Sequence, residues 1–164
     1  MLTIRPAAPA DLGAITEIYN DAILHTTATF DTQPKTLADQ QAWFAQHSAR
    51  YPVLVAEEEG AVVGWASLTP WSDRCAYADT AEISLYVRDG CRGRGLGKQL
   101  TAAILAAGRG AGLHTVIACI TQGNEASLRL ARSCGFAEIG AMREVGRKFG
   151  KFLDVHLLQH IYRD

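Results

Sequence analysis

Apolar positions recur at two spacings along the chain, and the points where the spacing changes divide it into helices and strands. Leu12, Ile15, Ile18, Tyr19 and Ala22 repeat at helical spacing behind Pro9-Ala10-Asp11, which predicts a helix buried along one face with Asp11 as its N-cap. Thr36 and Asp39 form a Ser/Thr-x-x-Asp/Glu start signal. A second helix is expected from there to about Ser48, with Leu37 and Phe44 facing the core. Leu96 to Ala107 reads as a third helix, ended near Gly108 to Gly112, and Asn124 to Cys134 as a fourth, stopped by Gly135.

Between them lie runs that suit strands: Leu2 to Arg5, Pro52 to Glu57, Ala61 to Leu68, Thr80 to Val87, Thr115 to Ile120, Phe136 to Met142 and Phe152 to Leu158. The second and third are joined by Glu58-Glu59-Gly60, a hairpin signal. His25 to Pro34 and Thr69 to Asp79 read as irregular segments. No repeat, low-complexity tract or linker interrupts the order. The expectation is one α/β domain over residues 1–164, a mixed sheet flanked by helices.

Composition narrows the function. Hydrophobic residues make up 48% of the 164 and charged ones 20%, an ordinary globular balance. A net charge of -1 argues against a general nucleic-acid binder. No signal-peptide core or membrane-length apolar run is present, so a cytoplasmic protein without membrane contact is expected. Cys75, Cys91, Cys119 and Cys134 lack CxxC spacing, and His25, His47, His114, His156 and His160 lack ligand spacing. Free thiols and no metal are the reading.

The densest chemistry lies in Arg92-Gly93-Arg94-Gly95-Leu96-Gly97-Lys98, between a strand and a helix. Its glycines admit a close ligand, and the helix start with Arg92, Arg94 and Lys98 attracts an anion. A Walker A loop fails on spacing, because Arg92 stands where its first glycine belongs and Gln99 replaces the magnesium-binding hydroxyl. A dinucleotide fingerprint fails at Lys98. A pyrophosphate cradle remains, beside the plain alternative of a basic surface turn.

On the preceding strand Ile83, Leu85 and Val87 share one face, and Glu82, Ser84 and Tyr86 the other. Glu82 is either a solvent-facing edge residue or a general base whose pKa is raised by burial.

Arg-x-x-Gly-x-Gly resembles the acetyl-CoA loop of the GNAT N-acetyltransferases. Ala81-Glu82-Ile83-Ser84-Leu85-Tyr86-Val87 with Gly93 to Lys98 is similar to its phosphinothricin and methionine-sulfoximine branch. So are Ile15 to Asn20, Asn124 to Leu130 with Gly135-Phe136, and Gly146 to Asp154. The likeness covers nearly the whole chain. It implies a mostly antiparallel twisted sheet with a splayed strand pair, acetyl-CoA as cosubstrate and direct transfer to a small-molecule amine, foremost an amino acid or analogue. A polyamine or peptide amine, or a CoA-binding module without catalysis, are the alternatives. The resemblance places pantetheine beside Leu85, Tyr86 and Val87, and the pyrophosphate on Arg92, Gly93, Arg94, Gly95, Leu96, Gly97 and Lys98. It adds Asn124 and Ser133 as further cofactor positions. Glu82 is implied as base, with Arg74, Tyr77, Glu82 and Ser84 on the substrate side, and a homodimer by analogy.

The chain departs from the branch at Ser72 and Ala78, where carboxylate-binding arginines are usual. Arg74 is the candidate replacement. Ala131 stands where an acid is usual, and Ile83 where His is frequent.

Overall fold

The computed structural model describes residues 1–164. Strand β1 (Leu2–Pro6) leads through a short 3-10 turn into helix α1 (Leu12–His25), followed by α2 (Leu37–Ala45). Then come β2 (Val53–Glu58), β3 (Ala61–Pro70) and, after a 3-10 turn at Cys75–Tyr77, β4 (Thr80–Val87). Helix α3 (Leu96–Gly110) crosses over to β5 (Thr115–Thr121), and α4 (Glu125–Ser133) precedes the hairpin of β6 (Ala137–Lys148) and β7 (Lys151–Ile161).

The strands form one seven-stranded sheet in the order β1-β2-β3-β4-β5-β7-β6. Every neighbouring pair is antiparallel except β4 and β5. Parallel neighbours need a long crossover, and α3 supplies it. Leu96, Leu100, Ile104 and Leu105 of α3 bury one sheet face with Ala66, Leu68, Ala81 and Val116. Leu12, Ile15 and Ile18 of α1 cover the other, against Val53, Val55 and Trp65. The alternation read along β4 holds: Ile83, Leu85 and Val87 pack on the α3 side. Glu82, Ser84 and Tyr86 lie opposite Thr69, Ser67 and Trp65 of β3.

The parallel ladder is short. It pairs Thr80 with Thr115, Ala81 with Val116 and Glu82 with Ile117, then stops, although both strands continue. The sheet opens beyond Glu82, as the sequence resemblance implied.

Three sequence expectations need correction. Asp11 holds the N-cap position of α1 but makes no side-chain capping bond to it; its carboxylate accepts from Ala8 N at 2.7 Å and pairs with Arg5 at 2.8 Å, tying the helix entry to β1. Leu37 is 50% exposed, because α2 meets the body through Gln40, Trp43 and Phe44 while its first turn overhangs. The last two strands run well past their expected ends and form a hairpin around Phe149 and Gly150. Arg143, Glu144, Arg147 and Lys148 break the apolar alternation of β6, and its register slips between Glu138 and Gly140 and again between Met142 and Gly146. A bulged, charged edge strand gives little periodic signal.

The packing yields a stability contrast. Leu100→Ala, at a fully buried position of α3, is expected to cost about 2–5 kcal/mol. Leu37→Ala is expected to stay within about 0.5 kcal/mol. Denaturant unfolding of both variants measures the difference.

Candidate active site

Helix α3 begins at a loop held open by backbone geometry. Gly93 and Gly95 sit at φ 78° and 75°, the left-handed region that other residues enter at a cost. The amides of Arg92 through Lys98 bond no backbone carbonyl, and those in the first turn point out along the helix dipole. Gly97 lies against Leu130 of α4 and Leu85 of β4; a Cβ there would approach Leu130 to 3.1 Å. This is a preformed anion cradle between β4 and α4.

A groove of about 700 Å³ runs from that cradle. Leu85, Tyr86 and Val87 line it, with Arg92, Gly93, Gly95, Leu96, Gly97, Lys98 and Asn124. Asn124 caps α4, its Oδ1 accepting from Ser127 N at 3.3 Å, which leaves its NH₂ group available to a ligand. Two expected members lie elsewhere. Arg94 turns away to pair with Glu58 at 2.9 Å and does not line the groove. Ser133 is exposed at the end of α4, donating to Leu130 O at 2.8 Å, because the helix carries it outward past Leu130. His25, from the end of α1, lines the groove.

The groove meets a cavity of about 320 Å³ between the diverging strands. Glu82, Ser84 and Tyr86 of β4 line it from one side, Cys119 and Thr121 of β5 from the other, and Asn124, Ser127 and Ala131 from α4. Glu82 stands at the last ladder pair, with one flank on the sheet and the other on the opening. Burial lifts its carboxyl above the ordinary range, and the Cys119 thiol, donating to Oε1 at 3.7 Å, partly offsets that rise. Burial and the Glu82 charge push Cys119 up to about 12, so it is held as a neutral thiol.

The Glu82–Cys119 contact was not foreseen from sequence. The parallel register puts Cys119 two residues beyond the partner of Glu82, and that register is not written in either strand alone. Burial also raises the Tyr86 phenol to about 12. Tyr19 donates to Asp31 and lies within 3.0 Å of Thr29 Oγ1. Its phenol is raised by burial and by Asp31.

Beyond Tyr19 and Ser84 a second recess of about 490 Å³ extends beneath α2, lined by Asp31, Lys35, Trp43, Trp65 and Ser67 among others. Arg74 and Tyr77 do not reach any of these spaces; they sit exposed around the 3-10 turn after β3. The candidate replacement for the missing arginines is thus exposed and does not line the cavity that holds Glu82. Lys148 is only 5% exposed, its Nζ donating to Thr29 O at 2.8 Å. Desolvation holds its ammonium below the ordinary lysine range, with Asp31 acting against it. No group of three or more His, Cys, Asp or Glu side chains is placed to hold a metal ion.

The groove fits a ligand with an anionic end at α3 and a narrow arm entering between β4 and β5. Known proteins agree. Residues 1–137 match the Acetyltransferase (GNAT) domain family. An L-methionine sulfoximine/L-methionine sulfone acetyltransferase of Pseudomonas paraeruginosa is 46% identical over 159 residues, 96% of this chain and 92% of its own. A phosphinothricin N-acetyltransferase of Streptomyces coelicolor is 38% identical over 156 residues, 93% of this chain and 91% of its own. Among solved structures, an acetyltransferase from Salmonella typhimurium with its cofactor acetyl-CoA superposes with a TM-score of 0.96 at 40% identity, covering 100% of this chain and 95% of the other.

The loop geometry separates backbone from side-chain contributions. Gly95→Val, which forces a branched side chain into φ 75°, is expected to raise the acetyl-CoA Kd at least about tenfold. Arg94→Ala is expected to leave it within about twofold, since its guanidinium is spent on Glu58. Titration calorimetry on the folded variants reads both.

Proposed function

The chain belongs to the GNAT acetyltransferase family, and we propose that it transfers acetyl directly to the primary amine of an amino acid or close analogue, with Glu82 as the base. It is an acetyl-CoA-dependent acyltransferase. The substrate class is supported by relatives that act on methionine sulfoximine, methionine sulfone and phosphinothricin. The placement of Glu82 carries the reading: one half-buried carboxylate stands where the strands part, lining the cavity between them.

Acetyl-CoA, when bound, supplies a thioester activated toward amines. The residues of this chain do the rest. The free amides at the start of α3 hold the pyrophosphate, and Asn124 and the unpaired edge of β4 from Leu85 to Val87 hold the arm. An ammonium entering the cavity is attracted by Glu82 and gives up its proton to it, directly or through a water, so that the nitrogen lone pair becomes nucleophilic. Unpaired N–H groups along the opened strands polarise the carbonyl. Ala131 offers no acid, and the departing thiol is itself a moderate acid. Cys119 does not serve as an acyl carrier, because its thiol is kept protonated by burial and by Glu82.

We further propose one cytoplasmic N-acetyltransferase domain over residues 1–164 that works as a homodimer. No helix is long and apolar enough to cross a membrane. Ile139, Val145, Phe149 and Phe152 stand exposed along the β6–β7 hairpin at the sheet edge, an apolar strip of the kind that partners cover. Light scattering is expected to give twice the chain mass, and Phe152→Glu to shift it to the monomer. A monomeric wild type rules the dimer out.

Glu82→Gln is expected to lower kcat/KM by roughly 10²–10⁴ with acetyl-CoA affinity unchanged. Only ionised Glu82 is a base, so wild-type kcat/KM should fall as pH drops through its raised pKa, and this limb should flatten in the variant. The stability sign is opposite. A carboxyl whose pKa is raised on folding costs nothing below its unfolded value and its full penalty above the folded one. Glu82→Gln is therefore expected to melt no lower than the wild type at neutral pH. A panel of amines assayed by free-thiol release, with these variants, decides the reading; wild-type turnover by Glu82→Gln across the pH range overturns it.

A further inference from the structure

Glu82 has one donor from the protein and no cation. Its Oε1 accepts from Cys119 Sγ at 3.7 Å, and no other hydrogen bond reaches either oxygen. None of the chain's salt bridges includes it. Carboxylates taken out of water are normally held by several donors or by a paired charge. Here one thiol stands in their place. Oε2 has no protein partner, yet it is not among the buried unpaired atoms, so it is open to the cavity that Glu82 lines.

The strand opening puts the thiol there. Glu82 pairs with Ile117 at the last rung of the parallel ladder. Cys119 is two residues further on, about 7 Å along β5 and on the same face. Its side chain reaches back across the gap to the carboxylate, and it too lines the cavity.

No other group is placed to answer to the charge of Glu82. The remaining ionisable side chains of the cavity are Tyr86 on the same strand and Tyr19 from α1. Burial raises both phenols far above neutrality, so they stay uncharged while Glu82 titrates. From β3, α3, α4 and β7 only uncharged side chains face it. In the loop that roofs the cavity, Asp31 accepts from Tyr19. Lys148 of β6 is engaged with Thr29 O. Neither lines the cavity.

A thiol is a weak donor. A hydroxyl in its place would favour the ionised carboxylate more, and a methyl group would leave burial unopposed. The first makes Glu82 a poorer base, and the second leaves it protonated over more of the working range. The S–H group lies between these extremes.

We propose that Cys119 is the positioning residue of the base: its thiol holds Oε1 toward β5, favours the ionised carboxylate and leaves Oε2 to receive the acceptor's proton. The assignment rests on Glu82 as base and adds the residue that governs how far into acid the base works. Cys119 acts through Glu82 and takes no acyl group itself.

The test follows the carboxyl carbon of Glu82 by NMR through a pH titration of protein labelled with ¹³C-glutamate. Glu82→Gln identifies the resonance by its loss. Wild type, Cys119→Ala and Cys119→Ser are compared, with acetyl-CoA affinity and the thermal melt as checks of the fold. Cys119→Ala is expected to raise the titration midpoint, because a donor to the charged form is lost. Cys119→Ser should keep it at or below the wild-type position. The kcat/KM profile, taken with the best acceptor of the amine panel, should follow. On its acidic limb Cys119→Ala should fall roughly two- to tenfold below wild type, with the plateau at higher pH within about twofold, and Cys119→Ser should restore the limb. If Cys119→Ala fails to raise the midpoint, or Cys119→Ser raises it as much, the positioning role is wrong and the reading of Glu82 as base stands. If the midpoint moves and the acidic limb does not follow, Glu82 is not the base, and the proposal falls with that reading.

Discussion

The site depends on one failure of pairing. Strands β4 and β5 share three ladder positions and part after Glu82 and Ile117, and everything functional is arranged around the opening. A closed sheet would satisfy the N–H and C=O groups of Leu85 to Val87 internally and leave no channel. Because they are left open, an extended ligand can take the place of the missing strand. The neighbouring strands hold the opening in shape: β4 stays fully paired with β3, and β5 with β7.

Around this opening the protein separates two electrostatic tasks. At one end, the α3 N-terminus presents unpaired amides in a loop that only glycine at Gly93 and Gly95 relieves of strain. Lys98 and Arg92 add charge at the rim, while Arg94 is withdrawn into a surface pair with Glu58. At the other end stand the carboxylates of Glu82, Asp31 and Asp39, with Lys35 beside Asp31. A ligand with an anionic end and an acceptor carrying an ammonium are thereby drawn to opposite sides of the same cleft.

Several groups in or next to the cleft are held at a cost to stability. Glu82 is half-buried with a thiol as its side-chain donor, Lys148 is buried against a carbonyl, and Ser67 and Trp65 leave polar atoms unpaired. Apart from Trp65, the two hydrophobic clusters on either face of the sheet contain no such groups. Departures from local rules gathered around a cleft are what a binding or catalytic site would require.

The sequence by itself determined the order of elements, because buried faces impose spacing: Ile15 and Ile18 on a helix, Ile83, Leu85 and Val87 on a strand. It also determined the cradle, since Gly93, Gly95 and Gly97 with their flanking cations are contiguous and their chemistry is local. Where signals were weak it misjudged extents, as in the charged, bulged β6 and the overhanging Leu37. What only the tertiary structure decided was every relation across the sheet. The parallel register brings Cys119 to Glu82, and the antiparallel one sets Ser67 and Trp65 beside Ser84 and Tyr86. Arg74 and Tyr77, after β3, and Ser133, at the end of α4, are exposed and line none of the cleft's spaces. Register and path depend on how distant faces pack, which no short stretch of residues encodes.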